Sequence, residues 1–487
     1  MPLKRSRLLA LLVLINLAGV AGCVVGPDYH RPAVETPPAY GESKGWKVAT
    51  PGDRIPRDQW WEMYGDPQLN SLVAQVAISN QNVAAAAAQY RQALAVLGAA
   101  RTGYYPTVST ALSVTGQQSP PNSASSSGAS RNSGPTETDR LEVTASWEPD
   151  LWGRIRRTVK SNEAAVQASA ADLQSALLSA QATLVQTYLQ LRINDAQRRL
   201  LEQTVAAYAD SLRITDNRYK AGVVGRLDVT RSQTQLQSTR AQAIDLGVQR
   251  AQLAHAIAIL IGKPPAEVAI APREDYPALP AIPVGVPSTL LERRPDIAAA
   301  ERRMAAANAQ IGVAQAAFFP TLTLSATSGF ESAGLVDLLT LPSGFWSLGP
   351  SLAETVLDFG KREQQKQQAR AAYEQSVADY RQTVLSGFQE VEDNLAALRV
   401  LDSEATVQAS AATAAAQSLK LADNQYKAGT ISYLDVITAE TASLSAERTR
   451  LDIVGRRLVA SAALIKALGG GWQVADSGDN APAPASR

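Results

Sequence analysis

The chain has 487 residues, of which 45% are hydrophobic, 19% charged and 6% aromatic, with a formal net charge of +1. That length allows several domains, and the near-neutral balance excludes a nucleic-acid binder, which would carry a clustered basic excess. Much of the apolar content is alanine, as from Ala84 to Ala88, mixed with Gln, Ser and Thr; small side chains suit closely packed helices and not one thick core.

The first segment, MPLKRSRLLALLVLINLAGVAGC, places Lys4, Arg5 and Arg7 before an apolar run from Leu8 to Val20. This is the layout of a secretory signal, with a run too short for an ordinary membrane span. Cleavage before a cysteine that follows Val20, Ala21 and Gly22 resembles the bacterial lipoprotein signal. Residues 1–22 are therefore read as a lipoprotein signal peptide and Cys23, the only cysteine, as the lipidation site. The alternative is an ordinary signal peptide with an incidental cysteine, which leaves that lone cysteine unexplained. Val24, standing where an aspartate is associated with inner-membrane retention, points to the outer membrane. One cysteine also means no disulfide within the mature protomer. Residues 23–66 read as an extended N-terminal anchor segment.

Residues 67–262 hold a series of elements. A helix is expected over Pro67–Thr102. Val108, Leu112 and Val114 then alternate with Ser109, Ala111 and Ser113, and Leu141, Val143, Ala145 and Trp147 alternate with polar residues. This period of two predicts two strands, each with one apolar and one polar face, on either side of the Ser- and Gly-rich loop Ser119–Pro135. A very long helix follows, about Thr158–Ala221, in which Val166, Ala170, Leu173, Leu177, Ala180, Leu184, Thr187 and Leu191 keep a coiled-coil period. Gly222 ends it, and a return helix covers about Leu227–Ile261.

Residues 263–287 are a proline-rich inter-repeat crossing, expected on the outside because neither helix nor central strand tolerates such a run. Residues 288–468 repeat the same parts: a helix over Ser288–Ala317, strands over Thr321–Phe330 and Phe345–Ala353 around the loop Ser332–Gly344, a long helix about Lys361–Ala428, a stop at Gly429 and a return helix about Leu434–Leu468. In the second long helix Val377, Tyr380, Val384, Gly387, Val391, Asn394, Leu398 and Leu401 keep the coiled-coil period. Residues 469–487 read as a disordered C-terminal tail.

The two stretches are a duplication. DNRYKAGVVGRLDV at 216–229 and DNQYKAGTISYLDV at 423–436 share nine of fourteen positions at an offset of 207. YYPTVS from Tyr104 matches FFPTLT from Phe318 at an offset of 214, and Trp152–Gly153 matches Phe359–Gly360 at 207. Correspondences in one order mean two homologous halves, whereas a solenoid needs more and shorter units.

At about 1.5 Å per residue each long helix runs roughly 100 Å, which a compact domain cannot bury. The shorter helices, stacked end to end, would match it and form a rod two helical lines wide. Strands of about ten residues suit a bilayer, but four cannot close a barrel, and an unclosed sheet in lipid leaves backbone groups unpaired. The edges must be paired by other copies; a dimer is the minimum, a trimer gives twelve strands, and composition does not choose. Rods in a ring would enclose a tube lined by Ser232, Gln233, Thr234, Gln235 and Gln237.

CVVGPDYHRP from Cys23, WWEMYGDPQLNSLVAQVAISNQNVAAA from Trp60, EPDLWGR from Glu148, LLERRPDIAAAE from Leu290, AAFFPTLTLSATSGF from Ala316 and both YKAG turns carry a specific resemblance. The chain resembles the outer-membrane factor family, the TolC- and OprM-like channels, and especially its NodT-type lipoprotein branch, from Cys23 to about Trp472. The resemblance implies an α+β membrane protein of two structural repeats: a long coiled-coil-like α-helical barrel plus a transmembrane β-barrel of four strands per protomer, completed by trimerisation. It implies a homotrimer in contact with outer-membrane lipid, a periplasmic adaptor protein at the turns, and an inner-membrane pump, commonly of the resistance-nodulation-division type. The expected function is passive exit of small toxic compounds through the outer membrane, with no cofactor, metal or catalysis.

The resemblance also suggests site residues. Asp435 aligns with an aspartate of the family's periplasmic constriction, and Asp228 is its counterpart in the first repeat. Thr438 stands where a second constriction aspartate is found, a departure that bears on cation block. A trimeric ring of carboxylates would repel itself and attract cations; the plainer reading is that both aspartates cap the return helices. The turns Tyr219, Lys220, Ala221 and Gly222, and Tyr426, Lys427, Ala428 and Gly429, are the candidates for adaptor contact. His30 and His255 are far apart, no metal-ligand spacing occurs, and Glu390 and Glu392 read as a solvated helix face. Protein export, or a structural lipoprotein without a pore, are the competing functions.

Overall fold

The computed structural model describes residues 24–33, 36–42, 59–118, 135–273, 275–282 and 293–470. Cys23, most of the loop Ser119–Pro135 and the tail beyond residue 470 lie outside them. The chain divides into two compact units, one of Met1–Pro32, Arg91–Gln167 and Glu301–Ala378, the other of Ala33–Tyr90, Ala168–Ala300 and Asp379–Arg487.

In chain order the elements are α1 (Pro67–Ser79), α2 (Gln81–Thr102), β1 (Thr107–Gln117), β2 (Thr136–Trp147), α3 (Arg154–Lys220), α4 (Arg226–Leu260), α5 (Pro295–Ala316), β3 (Thr321–Ser332), β4 (Gly344–Ala353), α6 (Lys361–Lys427) and α7 (Tyr433–Ala467). The duplication is plain in the lengths: α3 and α6 have 67 residues each, α4 and α7 have 35 each.

In the first unit the strands form one antiparallel sheet in the order β1-β2-β3-β4, so that two hairpins are joined through β2 and β3. Beside the sheet, Leu97 of α2 packs on Ile155 and Val159 of α3. Gly312 of α5 is there because a Cβ at that position would stand 2.9 Å from the Arg157 side chain.

The second unit holds the main core. Trp60, Trp61 and Tyr64, on a 3-10 turn, and Leu69, Val73 and Val76 of α1 pack with Leu184, Leu189 and Leu191 of α3, Val391 and Leu395 of α6, and Leu458 and Ile465 of α7. Along α6 the predicted stripe is found buried at Tyr380, Val384, Gly387, Val391, Leu398 and Leu401. Both long helices end in the same way. Gly222 and Gly429 adopt φ of 74° and 80°, and the next amides, of Val223 and Thr430, return to the carbonyls of Arg218 and Gln425 at 2.9 and 3.0 Å. Glycine takes this left-handed conformation without the Cβ penalty, and the returning amide satisfies a carbonyl that the helix leaves free.

The single helix expected over Pro67–Thr102 is two helices, and Asn80 is the reason. Its Oδ1 accepts from the amides of Asn82 and Val83, capping α2, while its Nδ2 donates to the Leu260 carbonyl at the end of α4. One side chain thus satisfies both helix ends where α4 runs into α2. Gly262 beside it, at φ 67°, approaches so closely that a Cβ would stand 2.0 Å from the Ser79 oxygen. The second repeat builds the same joint from different chemistry: Gly469 lies against the Arg293 carbonyl, and Arg294 donates to the Ala467 carbonyl at the end of α7.

The proline-rich crossing is not simply an outer strap. Ile270 and Ile282 are buried in the main core, and Arg192 and Arg250 donate to the Ala271 and Ile270 carbonyls. Pro-rich backbone has carbonyls to spare for such donors, because it forms no ladder of its own.

Candidate functional site

The hairpin tips lie in the second unit. Tyr219, Lys220, Ala221 and Gly222 are all exposed, with Lys220 paired to Asp216 at 2.7 Å. Lys427, Ala428 and Gly429 are exposed as well, but Tyr426 is not. Only 6% of it is accessible, it packs with Tyr433 and Val436, and the Arg218 guanidinium lies 4.4 Å from its ring centre while donating to its carbonyl at 2.6 Å. The expectation of Tyr426 as a contact residue is corrected: equal motifs sit in unequal surroundings, because Arg218 of one repeat has Gln425 as its counterpart in the other.

Asp435 completes a capping box at the start of α7, its Oδ2 accepting from the Ser432 amide and hydroxyl at 3.0 and 2.8 Å. It is nonetheless exposed, as is Thr438 one turn on. Asp228 stands in the first turn of α4, 4.0 Å from Arg231. Of the positions expected to line a tube, Gln233, Thr234 and Gln237 are exposed and Gln235 half-buried, while Ser232 is 1% accessible. Ser232 is corrected to an inward position: with Leu236 and Thr239 it forms the buried stripe of α4.

Two turns above the second tip is a cluster that no motif announced. Glu440 of α7 is 5% accessible and its Oε2 has no hydrogen bond among the described residues. Burial, then Asp423 across on α6, pushes its carboxyl up to about 7. Tyr208 of α3, also buried and near Gln235, is pushed up to about 12 by burial. The Tyr433 hydroxyl lies 3.2 Å from the Ser211 hydroxyl, and burial raises its pKa as well.

In the sheet the alternation separates two faces. Val108, Leu112 and Val114 of β1, Val143 of β2, and Trp346, Leu348 and Leu352 of β4 share one face and are exposed, Trp346 to 79%. The other face carries Arg140, paired to Glu142 at 2.8 Å and to Glu331 at 3.6 Å, together with Thr144 and Thr327, whose hydroxyls are 3.2 Å apart. Such a face prefers water and its opposite prefers hydrocarbon.

The N-terminal segment is fastened to the same unit. The Val25 amide donates to the Trp152 carbonyl, and Arg157 donates to the carbonyls of Val25 and Gly26. Gly26, at φ 103°, meets Gly312 so closely that a Cβ would stand 2.5 Å from its Cα. Tyr29 donates to Glu301 at 2.6 Å. Val24 itself lies against Gly153, at the turn between β2 and α3.

Buried charges hold the second unit, and sequence reading missed them. Asp195 accepts from Arg192 at 3.0 Å and from Arg250 at 2.7 Å, with Arg192 and Asp195 both essentially inaccessible. At the 207 offset stand Arg399, Asp402 and Arg457, and Arg457 again pairs with Asp402. Extending that offset from the turns to charged residues would have revealed the pairs. Glu390 and Glu392 are likewise corrected from a solvated face: Glu390 accepts from Arg294 at 2.6 Å, and Glu392 from the Gly41 and Glu42 amides at 2.7 and 2.9 Å. Each fastens a segment that periodicity along α6 cannot see.

These features agree with the comparisons to known proteins. The pyoverdine export outer membrane protein OpmQ of Pseudomonas aeruginosa is 30% identical over 432 residues, which is 88% of this chain and 91% of OpmQ. Nodulation protein T of Rhizobium leguminosarum bv. trifolii is 31% identical over 448 residues, 89% of this chain and 91% of that protein. Among solved structures, the outer-membrane channel OprN superposes with a TM-score of 0.85 at 31% identity, covering 93% of this chain and all of the other. The outer membrane efflux protein family matches residues 72–263 and 286–470, the two repeats in turn. With its α+β channel fold, its two-faced sheet and these two matched stretches, the chain belongs to the outer membrane efflux protein family.

Proposed function

We propose that this chain is the exit duct of a tripartite efflux system, a passive outer-membrane channel for small toxic compounds. An inner-membrane pump of the resistance-nodulation-division type delivers them through a periplasmic adaptor. The observation that carries this reading is a four-stranded sheet with one exposed apolar face and two edges, β1 and β4, that pair with no other strand among the described residues. In lipid such edges leave amides and carbonyls without partners, at several kcal/mol each. A homotrimer closes them into a twelve-stranded barrel.

After removal of residues 1–22, Cys23 carries the lipid. The reading is supported by Val24, the residue that follows, which lies against Gly153 at the turn between β2 and α3. Asp435, exposed at the start of α7, supplies a ring of three carboxylates at the aperture, with Asp228 a lesser contributor. The exposed tip residues Tyr219, Lys220, Ala221 and Gly222, and Lys427, Ala428 and Gly429, face the adaptor.

Purified protein in a planar bilayer should give discrete single-channel steps, and a strain lacking it should become sensitive to a panel of toxic compounds. A bilayer that stays silent at every protein concentration would overturn the channel reading.

A further inference from the structure

The internal repeat specifies how the two open edges meet a second copy. An offset of 214 carries Tyr105 and Thr107 onto Phe319 and Thr321, and one of 207 carries Trp152 onto Phe359. In the first hairpin Thr107 faces Ser146. The offsets carry this pair to Thr321 and Ala353, which do face one another in the second hairpin. The repeat therefore preserves strand register residue for residue.

The seam between the hairpins pairs Ala145 with Ala326 and Thr144 with Thr327. Its symmetry mate is β4 of one copy against β1 of the next. There Leu352 takes the place of Ala145 and Leu112 that of Ala326, while Ser351 and Ser113 replace the two threonines whose hydroxyls touch. Beyond the end of β2, Trp152 stacks on Phe319 with ring centres 4.8 Å apart and planes 22° from parallel. The mates of these two rings are Phe359 and Tyr105, which are 93% and 70% exposed. Phe359 is also the one non-glycine residue among those described with a positive φ, 51°. Such backbone persists where its surroundings impose it.

We propose that β4 of one protomer pairs with β1 of the next in the register Leu352 to Leu112 and Ser351 to Ser113, with Phe359 stacked on Tyr105 of that next copy as an aromatic clasp. The proposal rests on the closed ring of identical copies proposed above and fixes its seam. The faces agree: Leu352 and Leu112 both lie on the apolar side, and a slip of one residue would turn one of them to the polar side. A slip of two keeps the faces, so the repeat and not the pattern selects the register.

Cysteine pairs in the full-length lipoprotein, oxidised in outer-membrane vesicles, test this. Hydrogen-bonded and non-hydrogen-bonded pairs alternate along an antiparallel ladder, so Leu112→Cys with Leu352→Cys and Ser113→Cys with Ser351→Cys sample one of each. At least one should convert most of the protein to a covalent oligomer. The slipped pairs Leu112→Cys with Pro350→Cys and Ser113→Cys with Gly349→Cys should give less than about a tenth as much, because diagonal neighbours stand too far apart for a disulfide. Single variants, all retaining Cys23, are the controls. Linking by the slipped pairs alone, or by neither set within an intact oligomer, overturns the register while the ring stands. A wild type that runs as a monomer on native electrophoresis overturns the ring itself. For the clasp, Phe359→Ala and Tyr105→Ala should each lower the temperature at which the oligomer dissociates in detergent, and the double variant should fall no further than the worse single one. Additive losses, or a loss with Tyr105→Phe equal to that with Tyr105→Ala, overturn the clasp.

Discussion

Replacing Glu440 by glutamine should stabilise the protein above neutral pH and leave it unchanged in acid. In the folded chain this carboxyl titrates near 7, because it is 5% accessible and faces Asp423; in an unfolded chain it titrates at about 4.3. A carboxyl raised on folding contributes fully below its unfolded pKa, and that contribution is lost as pH rises through its folded value. The loss in the wild type therefore runs from about pH 4 to about pH 7 and then levels off. At about 1.4 kcal/mol per pH unit, its ceiling is about 3 to 4 kcal/mol per protomer at pH 8. Glutamine keeps the shape and carries no charge at any pH. The difference in unfolding temperature between variant and wild type, measured in detergent from pH 4 to pH 8, should be near zero at the acid end and grow in favour of the variant. Asp423→Asn should move the midpoint of that growth to lower pH, since it removes the repelling charge. A difference that stays flat across the range, or that favours the wild type at pH 8, would refute the reasoning.

Asp195→Ala leaves Arg192 and Arg250 buried without their carboxylate and should cost about 3 to 5 kcal/mol in denaturant unfolding. Asp402→Ala, at the equivalent but 69% exposed side chain, should cost less than about 1 kcal/mol. Asn80→Ala removes the cap of α2 and the link to α4; a loss of about 1 to 2 kcal/mol in the same assay is expected. Gly262→Ala forces a Cβ onto the Ser79 oxygen and should sharply reduce the amount of folded protein recovered from membranes. Asp435→Asn keeps an oxygen for the Ser432 amide and hydroxyl but removes the charge, so cation selectivity in bilayer recordings should fall while the unfolding temperature changes little.

Much of the fold was legible because its signals are local and periodic. Period-two alternation at Val108–Val114 and Leu141–Trp147, the absence of proline from the long helices, and glycines at 222 and 429 each act through the nearest few residues, and the structure places strands, helices and stops there. The resemblance carried the family and its two repeats. The expected roles of Asp435 and of the tips depend on partner copies and an adaptor, and no local signal bears on them.

What the sequence alone determined is the duplication itself, and with it the order in which the parts recur, since an offset of 207 or 214 is a property of the chain and of no contact. Only the tertiary structure decided which copy of a repeated residue is covered. Tyr219 is exposed and Tyr426 buried, Asp195 is sealed and Asp402 open, and Glu392 holds a loop. Burial is set by what packs from hundreds of residues away, and two identical motifs become unequal as soon as their neighbours differ.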